Sequence, residues 1–244
     1  MGFYYFTEEK ETGEKMPEVT RNLEYGYATL ALANVLALIS STMTPGAGPT
    51  APETVAPSEL FRLLGLAVVG FLVLALTILS WVLRIMGWDA VYRATGKRLY
   101  RWTRIVIIIL PIIGVIVMVV FIIVGVLEVM AAGTEEAAAV GPWIYGVLAG
   151  TALIALSYVF EGFSLLDMSY SYGSKLLRAG GILLIVAQFA SIVSGSLSAV
   201  MFSEVLRSGL HTWLNAANNC LQLGSSILVF LGVREVKIDG GERA

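Results

Sequence analysis

The chain has 244 residues, 57% of them hydrophobic and only 14% charged, with a net charge of -2 and a mean hydropathy of +0.80. A soluble domain carries about 25% charged residues, so this chain lacks the polar surface to cover itself in water and belongs in a lipid bilayer. A single cysteine, Cys220, and a single histidine, His211, exclude an internal disulfide, a four-cysteine metal or iron–sulfur site, and a haem held by two histidines of this chain.

Residues 1–24 mix Glu with a few Lys and Arg and form no apolar run. They lack the basic start, apolar middle and cleavage site of a secretory signal and read as a cytoplasmic tail. A bilayer crossing needs about 20 apolar residues for roughly 30 Å of hydrocarbon. Six stretches meet that need, at 25–43, 61–86, 105–130, 143–160, 177–202 and 213–233. The first carries Asn34 and stops at Thr44-Pro45-Gly46, because Pro cannot continue a helix. The third contains Pro111, which removes an amide donor and should kink it. The loop 45–58 is rich in Pro, Gly and Ala, and the loop 131–142 carries Glu135 and Glu136. Neither contains Lys or Arg. Residues 234–244 read as a frayed polar tail. Pro111 has no counterpart in the sixth span, so an inverted three-plus-three repeat is unsupported.

Positive charge sets the orientation, since Lys and Arg resist translocation. Six of the sixteen Lys and Arg fall between Arg84 and Arg104. With the two tails and the connection after span four, that side of the membrane holds fourteen, against Arg62 and Arg207 on the other. The expectation is an all-α, six-span bundle in the plasma membrane with both termini cytoplasmic.

Charge buried deep in a bilayer costs about 2.5–3.5 kcal/mol on insertion scales. Arg84, Glu128 and Glu161 all fall at ends of the spans as bounded above, within reach of headgroups or water. Glu161 has two readings: a cytoplasmic access point for a proton or cation, or an interfacial carboxylate paired with Lys175 or Arg178. The second is the commoner fate of a charge at a helix end. Deeper polar groups recur on the last two spans. Gln188, Ser191, Ser194 and Ser198 fall on or beside one face of span five. Asn215, Asn218, Asn219 and Gln222 do so on span six. With Asn34 they either bond across helices or line a hydrated path, and packing is the commoner use. Gly146 and Gly150, four residues apart, fit a close helix contact, as does the series Ser191, Gly195, Ala199. Arg93, Lys97, Arg98, Arg101 and Arg104 are candidate contacts for anionic lipid headgroups. Nucleic acid is a poor alternative, because the patch is short, borders the membrane, and its aromatic neighbours read as interface anchors.

The C-terminal third, YSYGSKLLRAGGILLIVAQFASIVSGSLSAVMF and the closing ILVFLGVREV, resembles a pattern in uncharacterised archaeal multi-span membrane proteins. The resemblance implies a polytopic fold and brings no activity or site residues with it. The spans contain no deep acid–base pair, metal-ligand set or activated nucleophile. The expectation is a structural or accessory subunit without catalysis or cofactor, in contact with lipid and with partner subunits or further copies. The alternative is a small transporter or channel lined by spans one, five and six. The topology has a direct check. With Cys220→Ser as background, Thr50→Cys should react with a membrane-impermeant maleimide from outside the cell and Arg101→Cys only from the cytoplasm. Labelling of both from one compartment would end the scheme.

Overall fold

The computed structural model describes residues 16–43, 57–132, 142–200 and 210–242, and these form α-helices with no strand. In chain order the helices are α1 (Met16–Met43), α2 (Pro57–Thr95), α3 (Arg98–Ala132), α4 (Pro142–Tyr172), α5 (Lys175–Val200) and α6 (Leu210–Glu242). Each of the six contains a segment long and apolar enough to cross a membrane. The protein is therefore an all-α, multi-pass membrane bundle. The Pro-rich loop, the Glu135–Glu136 loop and Arg207 lie outside the described residues.

The helices outrun the spans that hydropathy outlines. α1 begins at Met16 rather than near Tyr25, α4 continues past Glu161 to Tyr172, and α6 carries the supposed C-terminal tail as helix to Glu242. α2 alone has 39 residues, about 58 Å at 1.5 Å per residue, against roughly 30 Å of hydrocarbon. Hydropathy marks where a chain meets lipid, whereas hydrogen bonding within the helix continues as long as the charged residues can pair. They do pair: Asp89 bonds Arg93 one turn ahead on α2 and also Arg104 across on α3. The central basic stretch is thus two helix ends around a tight turn. Gly96, at φ +67°, bonds its amide to the Tyr92 carbonyl at 2.8 Å and caps α2. Only glycine adopts that left-handed geometry freely. The α4–α5 turn repeats the device. Gly173, at φ +74°, caps α4 on the Ser169 carbonyl, and Ser174 Oγ accepts the Leu177 amide at 3.2 Å as the cap of α5.

Around the bundle the packed order is α2, α1, α6, α5, α4, α3, while α2 and α3 meet much less extensively. The core gathers at the end that holds both glycine turns, where Leu23, Tyr27, Trp88, Tyr100, Leu165 and Leu177 are fully buried. Away from that end α2 and α3 show apolar side chains outward, Phe71 at 70% and Leu127 at 60% exposure. A surface of that kind is stable only against lipid or other apolar helices.

Close approach relies on small residues. Gly150 lies against the Met118 side chain and the Gly114 backbone of α3, and Gly146 faces Phe121, so the expected small-residue contact lies between α4 and α3. Gly195 is different: its neighbour is Leu148 at ordinary distance, so the series Ser191, Gly195, Ala199 does not make a comparably close approach there. Gly87 sits directly against the Leu23 backbone of α1, whereas Gly65 faces open space. Gly87→Val should therefore lower stability by about 1–3 kcal/mol through overpacking. Gly65→Ala should leave it unchanged or slightly raised. Thermal unfolding in detergent compares the two, and equal effects would contradict this packing.

Candidate functional site

The most consequential side chains lie where α1, α2 and α4 converge. α1 approaches α2 so closely that a Cβ on Gly26 would strike the Arg84 side chain, and Ser80 Oγ donates to the Gly26 carbonyl at 2.7 Å. Arg84 is left 1% exposed and Glu161 not at all. Arg84 Nη1 pairs with Glu161 Oε2, and Trp88 Nε1 donates to Glu161 Oε1 at 2.8 Å. Arg84 Nη2 donates to the Tyr158 hydroxyl at 3.1 Å. The guanidinium also lies 4.6 Å from the Tyr158 ring centroid and 5.8 Å from that of Tyr27. Sequence spacing explains the convergence: Arg84 and Trp88 are one turn apart on α2, Tyr158 and Glu161 one turn apart on α4, so each pair shares a face.

Both charges are thus buried against each other, and the expected partners of Glu161 are not the ones it has. Glu161 does not reach Lys175 or Arg178. Those two are exposed, and Arg178 instead stacks over Tyr170 at 4.4 Å. Nor does Arg84 reach headgroups. Nearer the turn, Asp89 pairs with Arg93 and Arg104, and Arg84 lies about 7–8 Å further along α2 at 1.5 Å per residue. The chain does bury charge, in a pair that is neutral overall. Hydropathy conceals the pair, because the spans it outlines close at 86 and 160, within a turn of each charge.

A second polar layer ties α3 to α4 nearer the turns. Lys97 Nζ donates to Asp167 at 2.9 Å and to Ser171 at 2.8 Å, and the Tyr100 hydroxyl donates to Asp167 at 2.7 Å. One turn further in, the Thr103 and Ser164 hydroxyls bond to each other. The basic candidates therefore divide. Arg93, Arg104 and Lys97 each hold a carboxylate, while Arg98 and Arg101 are exposed and form no ion pair among the described residues. They are the two best placed to meet lipid phosphates.

The polar stripes of the later helices do meet. Asn34 Nδ2 on α1 donates to Ser226 Oγ on α6 at 3.3 Å, and Asn218 Nδ2 on α6 reaches Ser191 Oγ on α5 at 3.5 Å. Gln188 and Ser194 are buried, Asn219 and Gln222 partly so, and the Gln222 carbonyl accepts from Ser225 and Ser226. Ser198 and Asn215 belong to α5 and α6, but their side chains lie outside the described residues. Ser225 and Ser226, both fully buried, extend the stripe beyond the residues that spacing singles out.

A cleft of about 460 Å³ opens where α2 and α3 diverge, with α4 as its back wall. Pro111 helps to shape it. Having no amide hydrogen, Pro111 leaves the Ile107 carbonyl without its helical donor, and Trp81 Nε1 of α2 fills that role at 2.8 Å. That bond pins α2 to α3 beside Pro111, which itself lines the cleft.

Loss of one partner strands a charge in a site built to exclude water, which costs about 3–5 kcal/mol for a buried pair. Glu161→Leu alone should therefore destabilise the protein by about that amount, whereas adding Arg84→Met should recover more than half of the loss. Melting of the single and double variants in detergent decides it, and simple addition of the two effects would refute the coupling. No protein-family model, curated protein or solved structure matches this chain.

Proposed function

We propose that this protein is a non-enzymatic component of a membrane assembly, a structural or accessory subunit inserted in the plasma membrane with both termini in the cytoplasm. The observation that carries the reading is the use of the polar stripes. Asn34 is bonded to Ser226 and Asn218 to Ser191, so the deep amides act as ties between α1, α6 and α5. Contacts of this type contribute about 0.6 kcal/mol each in membrane helices, enough to select a register. The broad apolar faces of α2 and α3 support the same reading, because they suit lipid and the helices of partner subunits or further copies. The orientation rests on the fourteen-to-two division of Lys and Arg.

The alternative is a small transporter or channel whose path runs along those stripes. One observation favours it: Asn218 Oδ1 is buried and has no hydrogen-bond partner among the described residues, a vacancy that water in a path could fill. Reconstituted liposomes separate the two. The subunit reading expects no ion or small-solute flux above protein-free vesicles. Flux that disappears in Asn218→Leu, with the melting temperature preserved, would establish the transporter instead.

A further inference from the structure

We propose that the cleft between α2, α3 and α4 is a binding site for a neutral, headgroup-free membrane compound of the quinone class, held by a hydrogen bond from the Tyr158 hydroxyl to a ligand carbonyl. This goes beyond the subunit reading and does not depend on it. The cleft runs from Leu74 to Arg84 along α2, about 15 Å of helix. Its long walls are apolar, with Ile112 and Ile116 at the mouth 46% and 55% exposed, so access is sideways from the hydrocarbon. The hydroxyls of Thr77 and Ser157 are already bonded to carbonyls of their own helices. Polarity is therefore concentrated at one end, at Arg84 and Tyr158.

The chemistry of that end selects the ligand. Tyr158 accepts from Arg84 Nη2, and its own proton has no acceptor among the described residues, so the free group is a donor and the ligand must supply an acceptor. The acceptor must be neutral, because Glu161 already balances Arg84 and an anion would enter as an uncompensated charge. It must also belong to a molecule dissolved in hydrocarbon, since the mouth opens through exposed apolar side chains and Tyr158 bonds Arg84 about 7–8 Å along the helix from the charges at Asp89, Arg93 and Arg104, the groups suited to headgroups. A ring carbonyl on a hydrocarbon tail satisfies all three conditions. The indole of Trp81 and the ring of Tyr158, both lining the cleft, suit a flat partner.

The test is a titration of a decyl-chain benzoquinone into the full-length protein in phosphatidylcholine nanodiscs, read by tryptophan quenching. A component that saturates near one ligand per chain, above the linear background of partitioning, is expected. Tyr158→Phe should weaken it roughly five- to tenfold, the loss of one hydrogen bond. The double variant Ile112→Phe/Ile116→Phe, at the exposed mouth, should abolish it with melting unchanged. That variant decides the matter if Tyr158→Phe fails to fold. Absence of a saturable component, or one that both variants leave intact, would overturn the site. So would its loss when a third of the lipid is replaced by phosphatidylglycerol, since the cleft would then take a phospholipid.

Discussion

An arginine and a glutamate shut away from water impose the strictest demand on this bundle. Arg84 and Glu161 lie on different helices, and neither can be left alone in a low-dielectric surrounding without a penalty larger than most single packing contacts. Three further requirements follow. α1 must come close enough to roof the pair, which is why glycine stands at positions 26 and 87. An indole must reach the second carboxylate oxygen, a role that falls to Trp88. A phenol must meet the second guanidinium nitrogen, and Tyr158 does so from the turn before Glu161. A buried pair is weak evidence for added stability, because an apolar replacement of both partners can be equally stable. Its value here is specificity: with the other polar ties it fixes one register among helices whose remaining contacts are apolar and nearly interchangeable.

The polar ties divide the molecule into unlike ends. At the end of the glycine turns, carboxylates, hydroxyls and indoles link neighbouring helices in layers, from Lys97 with Asp167 inward to Thr103 with Ser164 and then Arg84 with Glu161. Beyond Trp81, which satisfies the carbonyl that Pro111 leaves open, α2 and α3 separate and face outward with aliphatic side chains. Separation of two helices inside lipid is tolerable because each satisfies its own backbone. That tolerance is what allows a lateral cleft to end on a charged pair.

Several features of this arrangement were open to a reader of the residues. Asn34, Asn218 and Ser191 stood out because amides and hydroxyls are conspicuous within aliphatic runs, and helical periodicity placed them on definite faces. That Gly146 and Gly150 serve a close helix contact was legible because only small residues allow backbones so near, whereas α3 as the partner was not. Arg84 with Glu161 was not legible, and the reason is physical. They are separated by the last three turns of α2, all of α3 and more than half of α4, and hydropathy falls as soon as a charge enters the averaging window. A buried ion pair therefore looks like the end of a span. The charges of the Arg84–Arg104 stretch were misleading for a related reason: residues such as Arg104 and Lys97 seem free for lipid until the carboxylates they bind are seen beside them.

Composition and periodicity alone determined that this is a helical membrane protein of six crossings, because lipid admits only helices and closed barrels and unbroken apolar runs of about 20 residues fit helices. They also marked out the amide and hydroxyl faces. Which faces meet, which charges are hidden, and where the bundle gapes were decided only by the tertiary structure. Side chains distant along the chain have no influence on local hydropathy, yet in a medium without water a pairing between them outweighs any local preference.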